Sequence, residues 1–289
     1  MKLSMLMVGI GLTLSHTASA AENQTGLETA AYLNKAYNDT RKDCGSKTAP
    51  AFLCSGVTFR GGEASPAFKV WNPSPASQES GGVSFSYIRK DAKYEKLAYG
   101  YTSGFILYPI YFSPKEKIDL DYLCSFPIDA ATNNRGDKGC GAHRANPDVS
   151  KKCSEQNITT AEQWRTHWSK NGNWGQCGFD ISEASKEVDT SARFYQSLRA
   201  TQLIDNSRVT QNEIRIATWY QNIGNVLPIQ AFFYLSGSTP GKLDAQYYQE
   251  DFYQTEGIWV PIIEFDLPDN PREQADFTFR AEDQAIAEH

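Results

Sequence analysis

Gly81-Gly-Val-Ser-Phe-Ser-Tyr-Ile-Arg89 is the stretch on which the fold turns. After the glycine pair, Val83, Phe85 and Tyr87 alternate with Ser84 and Ser86, the two-residue period of a strand with one apolar and one polar face. The run Ala51 to Phe59 also reads as a strand; it delivers Arg60 and is stopped by Gly61-Gly62. Between the two lies a Pro-, Ser- and Gly-rich loop, 63–82, that holds Trp71. Downstream, Arg89 to Leu97 has helical character, and Gly104 to Phe112 is the densest run of β-forming residues in the chain. The unit is strand, loop, strand, helix, strand.

Working outward, Leu27 to Asp43 spaces its apolar residues for a helix, and Leu120 to Asp129 reads as a strand. Thr159-Thr160-Ala161-Glu162 resembles a capped helix start, with the helix running from Thr160 to Trp168. Ser191 to Leu203 is a further helix. Gln211 to Trp219, Pro228 to Leu235 and Ile258 to Phe265 read as strands. The expected fold class is α+β, a single domain over 21–268, with a loop-rich insertion at about 133–180 and a polar, fraying tail at 269–289.

The N-terminus carries Lys2, an apolar run from Leu3 to Leu14 and the small-residue exit Ala18-Ser19-Ala20. This is the pattern of a secretory signal peptide over 1–20, and the expected location is secreted or periplasmic. No later stretch approaches the ~18 unbroken apolar residues of a membrane span. With 28 Lys and Arg against 34 Asp and Glu, the net charge of −6 argues against a nucleic-acid partner. The chain is expected to be a monomer.

Six cysteines, Cys44, Cys54, Cys124, Cys140, Cys153 and Cys177, are an even set suited to disulfides in an oxidising compartment. Fifteen pairings are open from sequence alone. Local closure, Cys44 with Cys54, Cys124 with Cys140 and Cys153 with Cys177, needs the least chain ordering. Cys140-Gly-Ala-His143 offers half of a zinc site, but no second half accompanies it, so no metal is expected.

Three strand-borne polar groups stand out: Phe59-Arg60-Gly61, Ser84-Phe85-Ser86 and Gln211-Asn212-Glu213-Ile214. Singly each is commonplace, a surface cation, the polar face of a half-buried strand, a solvated carboxylate. In this order they resemble the mono-ADP-ribosyltransferase fold, where a strand Arg, a strand Ser-x-Ser and a late Gln-x-Glu surround NAD. Through Leu53-Cys-Ser-Gly-Val-Thr-Phe-Arg-Gly61 and Gly81 to Arg89, the chain resembles the halovibrin group of secreted bacterial NAD-consuming proteins.

That resemblance implies a split mixed sheet with flanking helices, and NAD glycohydrolase or ADP-ribosyltransferase activity with NAD as substrate, no further cofactor, and water or a host protein as acceptor. It implies that Arg60, Gly61, Ser84, Phe85 and Ser86 bind NAD and that Glu213, Gln211 and Ser84 form the catalytic set. Gln211 stands where arginine-modifying transferases carry Glu, which points to hydrolysis or another acceptor. Arg60 and Ser84 are closer together than in such enzymes; Ser86 and Glu213 are farther apart, which the cysteine-bearing insertion explains.

The chemistry suits those residue types. A guanidinium grips pyrophosphate or ribose oxygens with a planar fork. Nicotinamide is bound to the ribose through an already cationic pyridinium nitrogen and leaves through an oxocarbenium-like state, which a carboxylate at Glu213 stabilises. Ser84 would orient Glu213 or the ribose, Ser86 would support the strand, and Gln211 would place the acceptor. Phe59, Phe85, Tyr87 and Trp71 are the aromatic candidates, and Glu264 is the rival carboxylate. The reading from a different class is a non-enzymatic exported binding or adhesion module.

Overall fold

The computed structural model describes residues 25–66, 69, 71, 82–92, 94–110, 112–113, 118–130, 140, 152–173, 175–182, 188–204, 211–217, 228–268 and 273–288. The expected signal peptide, His143 and much of the expected loop and insertion lie outside them. Four helices are described: α1 (Gly26–Asn38), α2 (Ala161–Asn171), α3 (Thr190–Gln202) and α4 (Thr239–Glu256). The strands begin with β1 (Val57–Gly61), β2 (Val83–Ile88) and β3 (Ser103–Leu107), then the short pair β4 (Phe112–Ser113) and β5 (Ile118–Asp119). They continue with β6 (Asp121–Phe126), β7 (Phe179–Asp180), β8 (Glu213–Ala217), β9 (Ile229–Leu235), β10 (Ile262–Asp266) and β11 (Asp276–Phe279).

Nine strands form one mixed sheet in the order β11-β10-β9-β3-β1-β2-β8-β6-β7. The β9–β10 pair is parallel and the other described pairs are antiparallel. The fold is therefore α+β, as expected. Neighbouring residues of the β3-β9-β10 half feed opposite cores: Phe105, Phe232 and Ile262 pack with Tyr248 and Phe252 of α4, whereas Ile106, Phe233 and Ile263 pack with Leu33 and Tyr37 of α1. A strand covered on both faces reads as a continuous apolar run, which is why the stretch opening at Gly104 is so conspicuous in the sequence, although the strand itself ends at Leu107 and not at Phe112.

The two halves of the sheet share a narrow waist. β1 and β2 pair through Val57↔Ile88, Thr58↔Tyr87 and Phe59↔Ser86, and β1 then continues against β3. That turn of the ladder needs a glycine at 104, because a Cβ there would lie 2.0 Å from the Arg60 carbonyl oxygen.

All three disulfides follow local closure: Cys44–Cys54, Cys124–Cys140 and Cys153–Cys177. Cys140 therefore has no thiolate to offer a metal. The cysteine-bearing region packs as its own small core: Trp164 of α2, Phe179 of β7 and the Cys153–Cys177 bridge close on Ala200 of α3. Thr160 caps α2 as expected, with Gln163 rather than Glu162 completing the reciprocal box.

Three expectations are corrected and one element is added. Arg89 to Leu97 is not a helix: the fully buried Arg89 grips Asp91, the Arg41 carbonyl and Ser55, and this holds a tight turn closed by the Arg89↔Ala92 bridge. The expected strand at Ala51 begins instead with a single 3₁₀ turn, Ala51–Leu53, and extends only from Val57. The 18-residue helix α4 is an element absent from the expected set, and its Pro240 and Gly241 look like breakers. They stand in its first turn behind the Ser238 cap, where proline has no hydrogen bond to lose. Finally, the described residues of the tail, 273–288, are packed rather than frayed. β11 pairs with β10, the Asn34 side-chain amide bonds both backbone groups of Phe277, and the buried Asp283 accepts from Tyr234 and Lys242. No helix among the described residues is long and apolar enough to cross a membrane.

Candidate functional site

On the face where β2 and β8 meet, serines and charged groups replace the apolar side chains that pack under α1 in the other half. Their antiparallel register sets Ser84 opposite Arg215 and Phe85 opposite Ile214. Phe85, Ile214 and Ile216 go to the core, so Ser84, Ser86, Glu213 and Arg215 share the opposite face. Gly82 opens β2 in the left-handed region (φ 85°), and a Cβ there would press on the Ile216 carbonyl at 2.8 Å.

A cleft of about 250 Å³ opens on this face. It is lined by Arg60, Gly61, Ser84, Phe85, Ser86, Gln211 and Glu213, the whole of the residue set expected from sequence. Glu213 is 1 % exposed. Its Oε1 accepts from Ser84 Oγ at 2.6 Å and from Arg215 Nη1 at 3.3 Å, and its Oε2 accepts from the Ala130 backbone N–H at 3.0 Å. Arg215 also donates to Ser84 Oγ and the Gly82 carbonyl. A buried carboxylate persists in the ionised form only with such donors and a counter-charge.

Arg60 lies past the last β1–β2 pair. Its Nη1 donates to the Ser84 carbonyl at 2.7 Å, so Arg60 and Ser84, 24 residues apart, meet directly. Desolvation, and then the second guanidinium of Arg215, hold the Arg60 pKa below the usual arginine value, while Glu213 opposes that shift. Arg60 and the carboxylates of Glu213 and Asp129 thus line one cleft, with Arg215 paired to Glu213 behind it.

Asn212, between Gln211 and Glu213 at the entry to β8, pairs with β2. Its side-chain amide bonds both the N–H and the C=O of Tyr87 at 2.8 and 2.7 Å and so extends the β2–β8 ladder by one pair. Ser86 Oγ approaches the Asn212 carbonyl at 3.5 Å, the strand-supporting position expected of it. Gln211 is tied to the segment after β6: its carbonyl accepts from the Asp129 N–H at 2.8 Å, and its Nε2 donates to Asp129 Oδ2.

Of the aromatic candidates only Phe85 borders the cleft, and its ring turns away into the core against Phe105. Phe59 packs edge-on with Tyr94, Phe233 and Phe265. Tyr87 bonds the Ser55 carbonyl, and Trp71 is buried against Phe252 with its indole N–H on Asp251. The cleft instead takes Tyr94, Tyr99 and Tyr101. Tyr99 is 88 % exposed with φ 56°, and its ring lies 5.8 Å from that of Tyr101 at the rim. Glu264 is not in the cleft: it accepts from Ser236 and Arg280 near the sheet edge.

The residues that sequence reasoning missed are Arg215, Asp129, Ala130, Asn212 and these tyrosines. Arg215 had a signal, because a residue two positions from Glu213 on a strand shares its face. Asp129 had none, since only the fold brings it to Gln211. No protein-family model and no curated protein matches this sequence, so the functional reading rests on these residues and their geometry.

Proposed function

We propose that the protein cleaves the nicotinamide–ribose bond of NAD, as a glycohydrolase or mono-ADP-ribosyltransferase, on the β2–β8 face. The observation that carries this reading is the Ser84–Glu213 hydrogen bond inside a cleft that also receives the Arg60 guanidinium. The carboxylate opposes the positive charge that grows on the ribose as neutral nicotinamide departs. Ser84 and Arg215 hold it in place, so little reorganisation accompanies the reaction. Arg60 commits one donor to the Ser84 carbonyl, and its remaining donors serve phosphate or ribose oxygens. A cleft of about 250 Å³ suits the ribose and pyridine ring, with the adenylate half outside. Tyr99 and Tyr101 offer that planar half, or the pyridine, a stacking surface.

Export to an oxidising compartment belongs to the same proposal. Its support is the three disulfides in a chain of ordinary domain size, a density unusual for reducing cytoplasm. Incubating the purified, oxidised protein with NAD and measuring free nicotinamide tests the activity. Release above the spontaneous rate is the expected result. No release, with NAD or another ligand bound, would favour the binding-module reading instead.

A further inference from the structure

Resting on the NAD-cleaving reading, we propose that Asp129 is a positioning residue that locks the Gln211 amide with its oxygen inward, where it holds the attacking water and commits the site to hydrolysis. A carboxylate only accepts hydrogen bonds, so the Gln211 atom facing Asp129 Oδ2 is Nε2. This leaves Oε1 as the free end. Gln211 lines the cleft but is only 7 % exposed, and Oε1 has no hydrogen-bond partner among the described residues. A buried amide oxygen left so is costly unless a donor meets it.

The donor must be small, because Oε1 has almost no accessible surface in the empty cleft; a water is the smallest donor that a slight shift of the lining admits, and a side chain carried on another macromolecule does not fit. The same two-residue segment serves both halves of the site: Asp129 holds Gln211, and the Ala130 N–H holds Glu213. The nucleophile is thereby set in fixed relation to the carboxylate. In the reaction the C1′–N bond breaks with its electron pair passing to the nicotinamide nitrogen. The water oxygen bonds to C1′ and its proton passes to solvent. Gln211 Oε1 orients the water and takes no proton; the oxocarbenium-like centre is electrophilic enough to need no strong base.

The test is NAD cleavage by wild type, Asp129→Ala and the near-isosteric Asp129→Asn in water–methanol mixtures, measuring kcat, KM and the ratio of methyl-ADP-ribose to ADP-ribose. For Asp129→Ala, kcat is expected to fall on the order of 10–100-fold with KM little changed, and the methanol product to rise several-fold in share. Asp129→Asn keeps an acceptor but also allows the amide pair to reverse, so it is expected to shift the product ratio in the same direction by less. If wild type cleaves NAD and both variants keep its product ratio, whether kcat falls or not, the inference is overturned while the reading stands. If wild type does not cleave NAD, both fall together.

Discussion

Glu213 and Glu264 are both strand glutamates paired with an arginine, yet the fold gives them opposite situations. Glu213 lies on β8, flanked by β2 and β6, and its ion pair with Arg215 is all but sealed, the side chains 2 % and 3 % exposed. Glu264 lies on β10 beside the edge strand β11, and its partner Arg280 is 48 % exposed. Water screens the second pair, and its geometry serves the sheet edge. The first is desolvated, held by three donors and open only to a cleft. Charge placed so acts strongly on whatever enters, which is the condition for electrostatic catalysis.

Breaking each pair from its cation side separates the two situations. Arg215→Met leaves Glu213 buried without its counter-charge and is expected to cost about 3–5 kcal/mol of stability, read from the urea midpoint. Unchanged stability would mean that the pair is not desolvated as described. Next in size, replacing Cys124 and Cys140 by alanine together opens the 16-residue closure that carries Asp129 and Ala130. Its loss is expected to cost about 3 kcal/mol and to reduce NAD cleavage well below the midpoint. Removing the Cys44–Cys54 bridge, whose 10-residue closure contributes no residue to the cleft, is expected to cost stability with cleavage retained. Equal effects on activity would deny the segment after β6 its role.

Arg60→Lys keeps the charge but loses the fork. It is expected to weaken NAD binding by about 1.5–3 kcal/mol, measured calorimetrically, with the fold intact. Unaltered affinity would return Arg60 to a bracing role through the Ser84 carbonyl. Smallest of all, Arg280→Met is expected to leave both the urea midpoint and NAD cleavage near wild type. A large loss of cleavage there would shift the site to the sheet edge.

How much was legible in the sequence follows the same division. Arg60, Ser84 and Glu213 could each be assigned to a short strand from local pattern, since strand faces follow from a period of two, but only the resemblance to the mono-ADP-ribosyltransferase fold implied that they meet. The disulfides were legible because short closures compete well when cysteines are near in sequence. The α4 helix was hidden by Pro240 and Gly241, whose role depends on which turn they occupy. β11 was hidden because it is only four residues long and set in polar sequence; Phe277 packs in the core against Phe265 and Tyr37, and the Asn34 amide pairs its backbone. Asp129 reaches Gln211 across 82 positions, and no local pattern encodes such a contact. The exposed, left-handed Tyr99 is likewise invisible to a search for patterns of burial.

The central claim is that Glu213 acts on the transition state rather than on bound NAD. Its most direct test is to measure the NAD dissociation constant and the rate of nicotinamide release on one preparation of Glu213→Gln, beside wild type and Glu264→Gln. The amide keeps an acceptor for Ser84 and Arg215, so the variant is expected to fold with reduced stability and to be assayed well below its midpoint. Release is expected to slow on the order of 10²–10³-fold while NAD affinity changes only a few-fold, with Glu264→Gln unaffected. Release by Glu213→Gln within a few-fold of wild type, or a dead Glu264→Gln, would contradict the account.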